Sequence, residues 1–254
     1  MASRHGQDSN TVELIASIAG RVPSRNLHSL VLWQLGVAIV RGDYPEGTVL
    51  PSDTELLARF SVSRTVLREA LKTLAAKGMI EARARIGTKV LPQTRWNLFD
   101  GDVLAWHFEA GPDVDFLRSV AEVRIGIELE SAALAAERRS PEQAERLVSL
   151  AEVMGRATTA EEFARADLAF HRAVAEAANN PFMASISTLV EVALTAVFTI
   201  SSPVSNPAKL AHTAAAHKAI AAAIHDGDSL AARNAMRTVI TDGFARSAER
   251  LQTQ

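Results

Sequence analysis

The sequence predicts a mainly α protein in two parts. An N-terminal winged helix-turn-helix, three helices plus a β-hairpin wing, precedes an antiparallel all-α bundle of six to seven helices. Three observations predict it. Before position 92, short amphipathic stretches broken by Gly and Ser lead into one pair of strand-like runs. Beyond 101, alanine-rich helical periodicity continues with β-branched alternation rare. The charge is also uneven: residues 27–92 carry nine Lys/Arg against six Asp/Glu, a net of +3, whereas residues 93–254 carry fifteen against twenty-one, a net of −6. A basic front and an acidic back point to a nucleic-acid partner for the front alone.

Residues 1–24 read as a disordered tail, polar through Asn10 and without the basic-then-apolar order of a secretory signal. The domain of residues 25–92 opens with Leu27, Leu30, Val31, Leu35, Ala38 and Ile39, whose spacing predicts a helix ended by Gly42. Ser52 with Glu55 three residues later predicts a capping box and a short helix to about Phe60. Ser61-Val62-Ser63 is a tight break. A third helix follows from about Arg64 to Lys77, closed by Gly78. Residues 79–83 and 88–91 read as two strands around Arg85-Ile86-Gly87. Residues 93–101 lack a period and are expected to be the linker. Residues 102–254 are expected to form the second domain, with helices at 102–110, 113–138, 141–156, 160–178, 182–200, 207–226 and 228–251. Trp96 and Trp106 are expected to pack the linker against both domains.

A helix pair, a tight turn and then a hairpin would place the third helix in a major groove. Its buried face is Val66, Leu67, Ala70, Leu71 and Leu74, while Arg64, Arg68 and Lys72, four apart, share the exposed side. Arginine suits bidentate contact with guanine, and Ser63 and Thr65 can reach phosphate or base edges. Arg83, Arg85 and Lys89 flank Gly87 in the wing, where a missing side chain would admit the sugar-phosphate. Taken without its surroundings, the basic stripe reads first as a solvated helix face; the order of cap, turn, basic helix and basic hairpin shifts the balance to DNA.

The stretches Gly42-Asp43-Tyr44-Pro45-Glu46-Gly47-Thr48-Val49-Leu50-Pro51-Ser52-Asp53-Thr54-Glu55-Leu56 and Val62-Ser63-Arg64-Thr65-Val66-Leu67-Arg68-Glu69-Ala70-Leu71, followed by Leu74, Gly78 and Arg85-Ile86-Gly87-Thr88, resemble the winged-helix regulators of the GntR family. The resemblance implies that Arg64 and Arg68 touch an operator and that the wing enters the minor groove. Thr54 stands where some members carry a DNA-contacting arginine.

In the rear half, Asp167 and His171 lie four apart on one helix face, and His217 begins an apolar helical run. A carboxylate and imidazoles converging inside a bundle can hold Zn²⁺ or a similar ion, though an Asp and a His at this spacing also arise as surface hydrogen bonds. Residues 113–245 resemble the ligand-binding (FCD-type) domain of the FadR branch of that family, through Glu122-Val123-Arg124, Glu128, Asp167 with Phe170-His171, Asn180-Pro181 and His217 to Asp228. The resemblance implies an aspartate and three histidines as metal ligands, the last 22 residues after His217. That position is Val239, so the fourth ligand is missing. Two readings stay open: Asp167, His171 and His217 hold one divalent metal, zinc first, beneath an effector, or they bind the effector directly. By resemblance Arg124 faces the pocket and grips a carboxylate; its other reading is an intrahelical partner for Glu128. His212 and His225 read as surface residues.

Residues 96–106, Trp96-Asn97-Leu98-Phe99-Asp100-Gly101-Asp102-Val103-Leu104-Ala105-Trp106, resemble the same stretch of galactonate-operon repressors and related sugar-acid regulators. The resemblance implies a homodimeric regulator, expected to be a repressor of a catabolic operon, on inverted-repeat double-stranded DNA, released by a small carboxylate such as galactonate. The competing readings are a metal-dependent hydrolase using the Asp/His/His cluster and a constitutive DNA-binding dimer without effector. Against the hydrolase, there is no metallohydrolase glutamate motif, glycine-rich phosphate loop or serine elbow. The absence of cysteine and of any apolar run near the roughly 20 residues of a membrane span leads to the expectation of a cytoplasmic protein with no membrane partner.

Overall fold

The computed structural model describes residues 26–187 and 202–252. The expected tail of residues 1–24 and most of the expected helix 182–200 lie outside them; a helix does begin at Pro181. The chain divides into two compact units, Met1–Pro112 and Asp113–Gln254.

In the first unit, α1 (Leu27–Arg41) starts where the Asn26 side chain accepts from the Ser29 N–H and stops at left-handed Gly42. Helix α2 (Asp53–Phe60) opens with the expected capping box, Ser52 and Glu55 each satisfying the other's backbone donor. Ser61 then adopts a left-handed conformation, turning the chain into α3 (Arg64–Ala76), which Ser63 caps by accepting from Val66 N–H. Leu67, Ala70 and Leu74 of α3 are buried, and Val66 and Leu71 only partly so. The wing pairs β1 (Ile80–Arg83) with β2 (Gly87–Val90) antiparallel, Ile80 opposite Val90 and Arg83 opposite Gly87.

The segment after the wing departs from the expected linker. A short 3₁₀ turn (Gln93–Arg95) leads to α4 (Gly101–Ala110), and both pack into the first unit. Trp106 is fully buried among Val31, Leu35 and Leu74, and lies edge-on to Trp33. Gly36 makes this possible, because a Cβ there would collide with the Trp106 indole. Lys77, the cap residue of α3, is buried and spans Asp100 Oδ1 at 2.6 Å and Asp102 Oδ2 at 2.7 Å. Asn97 N–H donates to the Lys77 carbonyl and the Trp96 indole to that of Leu91. The unit boundary therefore falls at Pro112–Asp113, not at 93–101, and α4 belongs with the winged helix. Trp96 and Trp106 pack within that unit rather than between two. Helical periodicity reveals an apolar face but not which neighbour covers it.

The second unit contains α5 (Val114–Arg138), α6 (Pro141–Gly155), α7 (Ala160–Ala177), α8 (Pro207–Asp226) and α9 (Ser229–Gln252). Their bounds lie within a residue or so of the expected ones because the stops are local. Ser140 and Gln143 form a capping box ahead of Pro141, Asn206 caps α8 ahead of Pro207, and left-handed Gly227 closes it. Helix α5 packs on α7, α8 and α9, and α6 on α7 and α8. Alanines 132, 135, 136, 151, 166, 173, 177 and 221 let these helices approach closely around Phe163, Phe170, Ile220 and Met236.

Gly36→Ala is expected to destabilise the first unit by about 1–3 kcal/mol through overpacking against Trp106. Gly126→Ala on α5, where a Cβ meets nothing within 4 Å, is expected to stabilise by roughly 0.5–1 kcal/mol. Denaturant unfolding checks both, and an unaltered midpoint for Gly36→Ala would contradict the placement of α4.

Candidate functional site

Two groups of residues carry chemistry, one in each unit. On the first unit, Arg64, Thr65, Arg68 and Lys72 are all exposed on α3. Lys72 shares its charge with Glu69 at 2.8 Å, leaving the arginines as the more available donors at the helix start. Ser63 uses its Oγ as acceptor for the cap, so its hydroxyl proton is what it can offer a phosphate. At the wing tip Arg83, Arg85 and Ile86 are exposed, and Arg83 lies 2.8 Å from Glu81. Arg85 sits at φ +65°, a left-handed conformation that costs a non-glycine residue roughly 1–2 kcal/mol. Gly87 has a reason beyond DNA: at φ +112° a Cβ there would stand 2.8 Å from Val49.

The second group is buried in the helical unit. Asp167 and His171, one turn apart on α7, meet His217 of α8 and the Arg124–Glu128 pair of α5, and all five side chains are less than a tenth exposed. His217 Nε2 lies 2.9 Å from Asp167 Oδ1, and His171 Nε2 lies 3.8 Å from the same oxygen. The other nitrogen of each ring is held from behind. His217 Nδ1 is 2.8 Å from the Thr213 carbonyl, and His171 Nδ1 is 2.6 Å from Glu128 Oε2. The Thr213 carbonyl can accept only from a protonated His217 Nδ1, and Glu128 is an acceptor beside His171 Nδ1; with a metal in place, Nε2 of each ring would be the atom free to ligate it. Phe170, fully buried, meets both rings edge-on and fixes their planes.

Arg124 makes the intrahelical pair with Glu128 and also reaches the histidine cluster. Its Nε donates to Glu128 Oε1 at 2.6 Å, and its Nη2 lies 3.4 Å from His171 Nε2. Burial pushes the Glu128 carboxyl up, but the adjacent Arg124 and His171 outweigh it and hold Glu128 well below the usual carboxylate range. Asp167 is likewise penalised by burial and then lowered by His217, His171 and Arg124. Its second oxygen, Oδ2, is buried with no hydrogen-bond partner among the described residues.

Three groups whose ligand atoms all lie within 4.8 Å of one another, two of them imidazoles with backed Nδ1 atoms, suit a divalent metal. A tetrahedral zinc with bonds of about 2.0–2.1 Å needs donors in such a cluster, and the unsatisfied Asp167 oxygen is a donor in waiting. Val239 of α9 is buried in the apolar core, so a fourth protein ligand does not come from there. The residues present fit a three-ligand site. His212 and His225 are exposed, each within 3.0 Å of an aspartate, Asp242 and Asp226 respectively. Sequence reasoning singled out Asp167, His171 and His217, which the structure brings together. It missed the Thr213 carbonyl behind His217; the signal for it was the one-turn spacing of the two residues on α8.

Known families and proteins agree with both units. Residues 31–90 match the model of bacterial regulatory proteins of the gntR family, and residues 119–242 match the FCD domain. The HTH-type transcriptional regulator YieP of Escherichia coli K12 is 38% identical over 65% of this chain and 73% of its own length. The galactonate operon transcriptional repressor of the same organism is 34% identical over 85% of this chain and 94% of its own. Among solved structures, Listeria monocytogenes Lar, described as controlling expression of the agr system, superposes with a TM-score of 0.62. It is 18% identical, covers 89% of this chain and 98% of its own, and speaks to fold alone.

Glu128→Gln takes from the buried Arg124 the carboxylate it is hydrogen-bonded to and is expected to cost about 3–5 kcal/mol at neutral pH. Because Glu128 and Asp167 are lowered in the folded state, their stabilisation is complete above their ordinary values near 4.5 and 3.8 and is lost as pH falls through the folded values. Wild-type stability should therefore fall below about pH 4.5, with a shallower fall in Glu128→Gln. Urea titrations from pH 7 to pH 3 measure both slopes; parallel slopes would contradict the pairing.

Proposed function

The chain belongs to the GntR family of bacterial transcriptional regulators and carries an FCD domain, and from that premise we propose that it is a homodimeric repressor whose hold on DNA is released by a small hydroxy acid. The observation that carries the reading is the polar cluster of Asp167, His171 and His217 inside an otherwise apolar core, with one carboxylate oxygen that has no hydrogen-bond partner among the described residues. A structural core gains nothing from such a group, since burying an unpaired polar atom costs free energy. A binding site does gain. The matches along both units are to regulators, which removes the hydrolase reading.

Two protomers would set their α3 helices about one helical turn apart on an inverted repeat, with Arg64 and Arg68 on base edges and Arg83, Arg85 and Gly87 against the adjacent backbone. Ser63, Thr65 and Lys72 would add phosphate contacts. Asp167, His171 and His217 would hold one divalent metal, zinc first; when bound, it supplies open positions for a carboxylate and a neighbouring hydroxyl. Glu128 and the Thr213 carbonyl orient the two rings. The likeness to the galactonate operon repressor makes an aldonate the first effector class to test. An acid that couples by 1–3 kcal/mol would change operator occupancy by about 5–150-fold.

Arg64→Ala or Arg68→Ala should weaken operator retardation by about 1–3 kcal/mol per half-site while the dimer persists in sizing columns. Undiminished affinity would refute the role of α3. Elemental analysis of untagged protein should find about one divalent ion per chain, and chelation should lower its thermal midpoint. An aldonate at 100 times its dissociation constant should stabilise the protein by about 2.7 kcal/mol and release the operator; no response to any acid would leave a constitutive DNA binder.

A further inference from the structure

Both DNA-reading elements of the first unit are fastened to α4. The first attachment is at the end of α3. The buried Lys77 ammonium sits 2.6 Å from Asp100 Oδ1 and 2.7 Å from Asp102 Oδ2, with the centre of the Trp106 ring 5.8 Å away. Asp100 Oδ1 also accepts from the Asp102 and Val103 N–H groups, so one oxygen fixes both the start of α4 and the lysine. The second attachment runs to the wing. His107 Nδ1 lies 2.8 Å from the Val103 carbonyl, which can accept only from a protonated nitrogen; in the neutral ring Nε2 is then the acceptor for the Gln93 amide at 3.2 Å. The Gln93 N–H donates to Glu46 Oε1 at 2.9 Å, and Gly47, next in the chain, donates to the Val90 carbonyl of β2.

Helix α4 is also the element that the chain joins directly to the second unit. Gly111 and Pro112 follow its last residue, and Asp113 caps α5, the helix that carries Arg124 and Glu128. Building on the effector reading above, we infer that α4 is the element through which an acid bound in the second unit acts on DNA. Lys77 carries the movement to the recognition helix, and His107 with Gln93 carries it to the wing. A buried ion pair is weak evidence for stability, since an apolar replacement can serve as well. What this one supplies is direction. Hydrogen bonds to two particular oxygens fix the position and rotation of α4 against α3, where an apolar contact would let them slide. Breaking a buried pair costs more than the coupling energy of an ordinary effector, so a displaced α4 takes α3 with it. Lys77, Asp102 and Gln93 are thus positioning residues that need not touch DNA.

The test uses the full-length protein, an inverted-repeat duplex selected by the wild type from random DNA, and D-galactonate and D-gluconate as acids. In wild type at least one acid is expected to weaken duplex binding by about 5–150-fold, and by linkage the duplex weakens that acid by the same factor. Lys77→Met, which keeps the stem and removes the ammonium, should bring both factors to within about 2-fold of unity, with acid affinity in the absence of DNA unchanged. Asp102→Asn removes one of the two charges on Lys77, and Gln93→Leu removes the link to the wing; each should fall between. Asp102→Glu should recover most of the Asp102→Asn loss. A variant that is only destabilised weakens DNA binding with and without acid alike and keeps the factor. A wild-type factor in Lys77→Met therefore overturns this inference while leaving the effector reading intact. Should Lys77→Met fail to fold, wild-type factors in both Asp102→Asn and Gln93→Leu overturn it. A wild type whose hold on DNA responds to neither acid overturns the aldonate reading and this inference with it.

Discussion

Two carboxylates buried in a core made largely of alanine set the terms for the helical unit. Glu128 and Asp167 are each under a tenth exposed, and a charge taken out of water is costly unless paired and hydrogen-bonded. Their partners come from three helices: Arg124 on α5, His171 on α7 and His217 on α8. The cluster therefore holds only when those helices keep one register and rotation. Small residues at the crossings allow this, since Ala132, Ala136, Ala166 and Ala221 bring the backbones close enough for the polar groups to meet. A hydrophobic replacement would serve stability as well or better. What the polar cluster adds is a set of donors aimed at a shared point.

In the winged-helix unit a related economy ties the exit of the wing to the end of the recognition helix. Lys77 closes α3, where a cation is favourable against the helix dipole, and at once binds both aspartates that begin α4. Asp100 also caps α4 through the Asp102 and Val103 N–H groups. Gly78 lies against the Arg95 carbonyl so closely that no side chain fits between them. Residues 93–110 are thus part of the head that carries Arg64 and Arg68, not a loose tether to it. Under the proposed regulation, a change delivered at Asp113 would act on a body that already includes the recognition helix.

Much of this was legible in the residues. Ser52 with Glu55, Ser140 with Pro141, and Gly42 and Gly227 marked helix ends, and the structure places those ends within a residue or so. The spacing of Asp167 and His171 put both on one face, and the pair does meet His217. The status of Arg124 was open between a pocket role and an intrahelical partner; it has the second contact and reaches His171 besides. The assignment of α4 failed because an apolar face does not name its neighbour.

By itself the sequence determined the helices, their caps, the hairpin and the basic stripe on α3. Each depends on interactions within a few residues along the chain, where spacing and side-chain chemistry are sufficient. Tertiary structure alone decided that Trp106 seals the DNA-binding head and that the Arg124–Glu128 pair of one helix meets Asp167, His171 and His217 of two others. Those outcomes join segments tens of residues apart, and only packing of whole helices determines which distant faces come together.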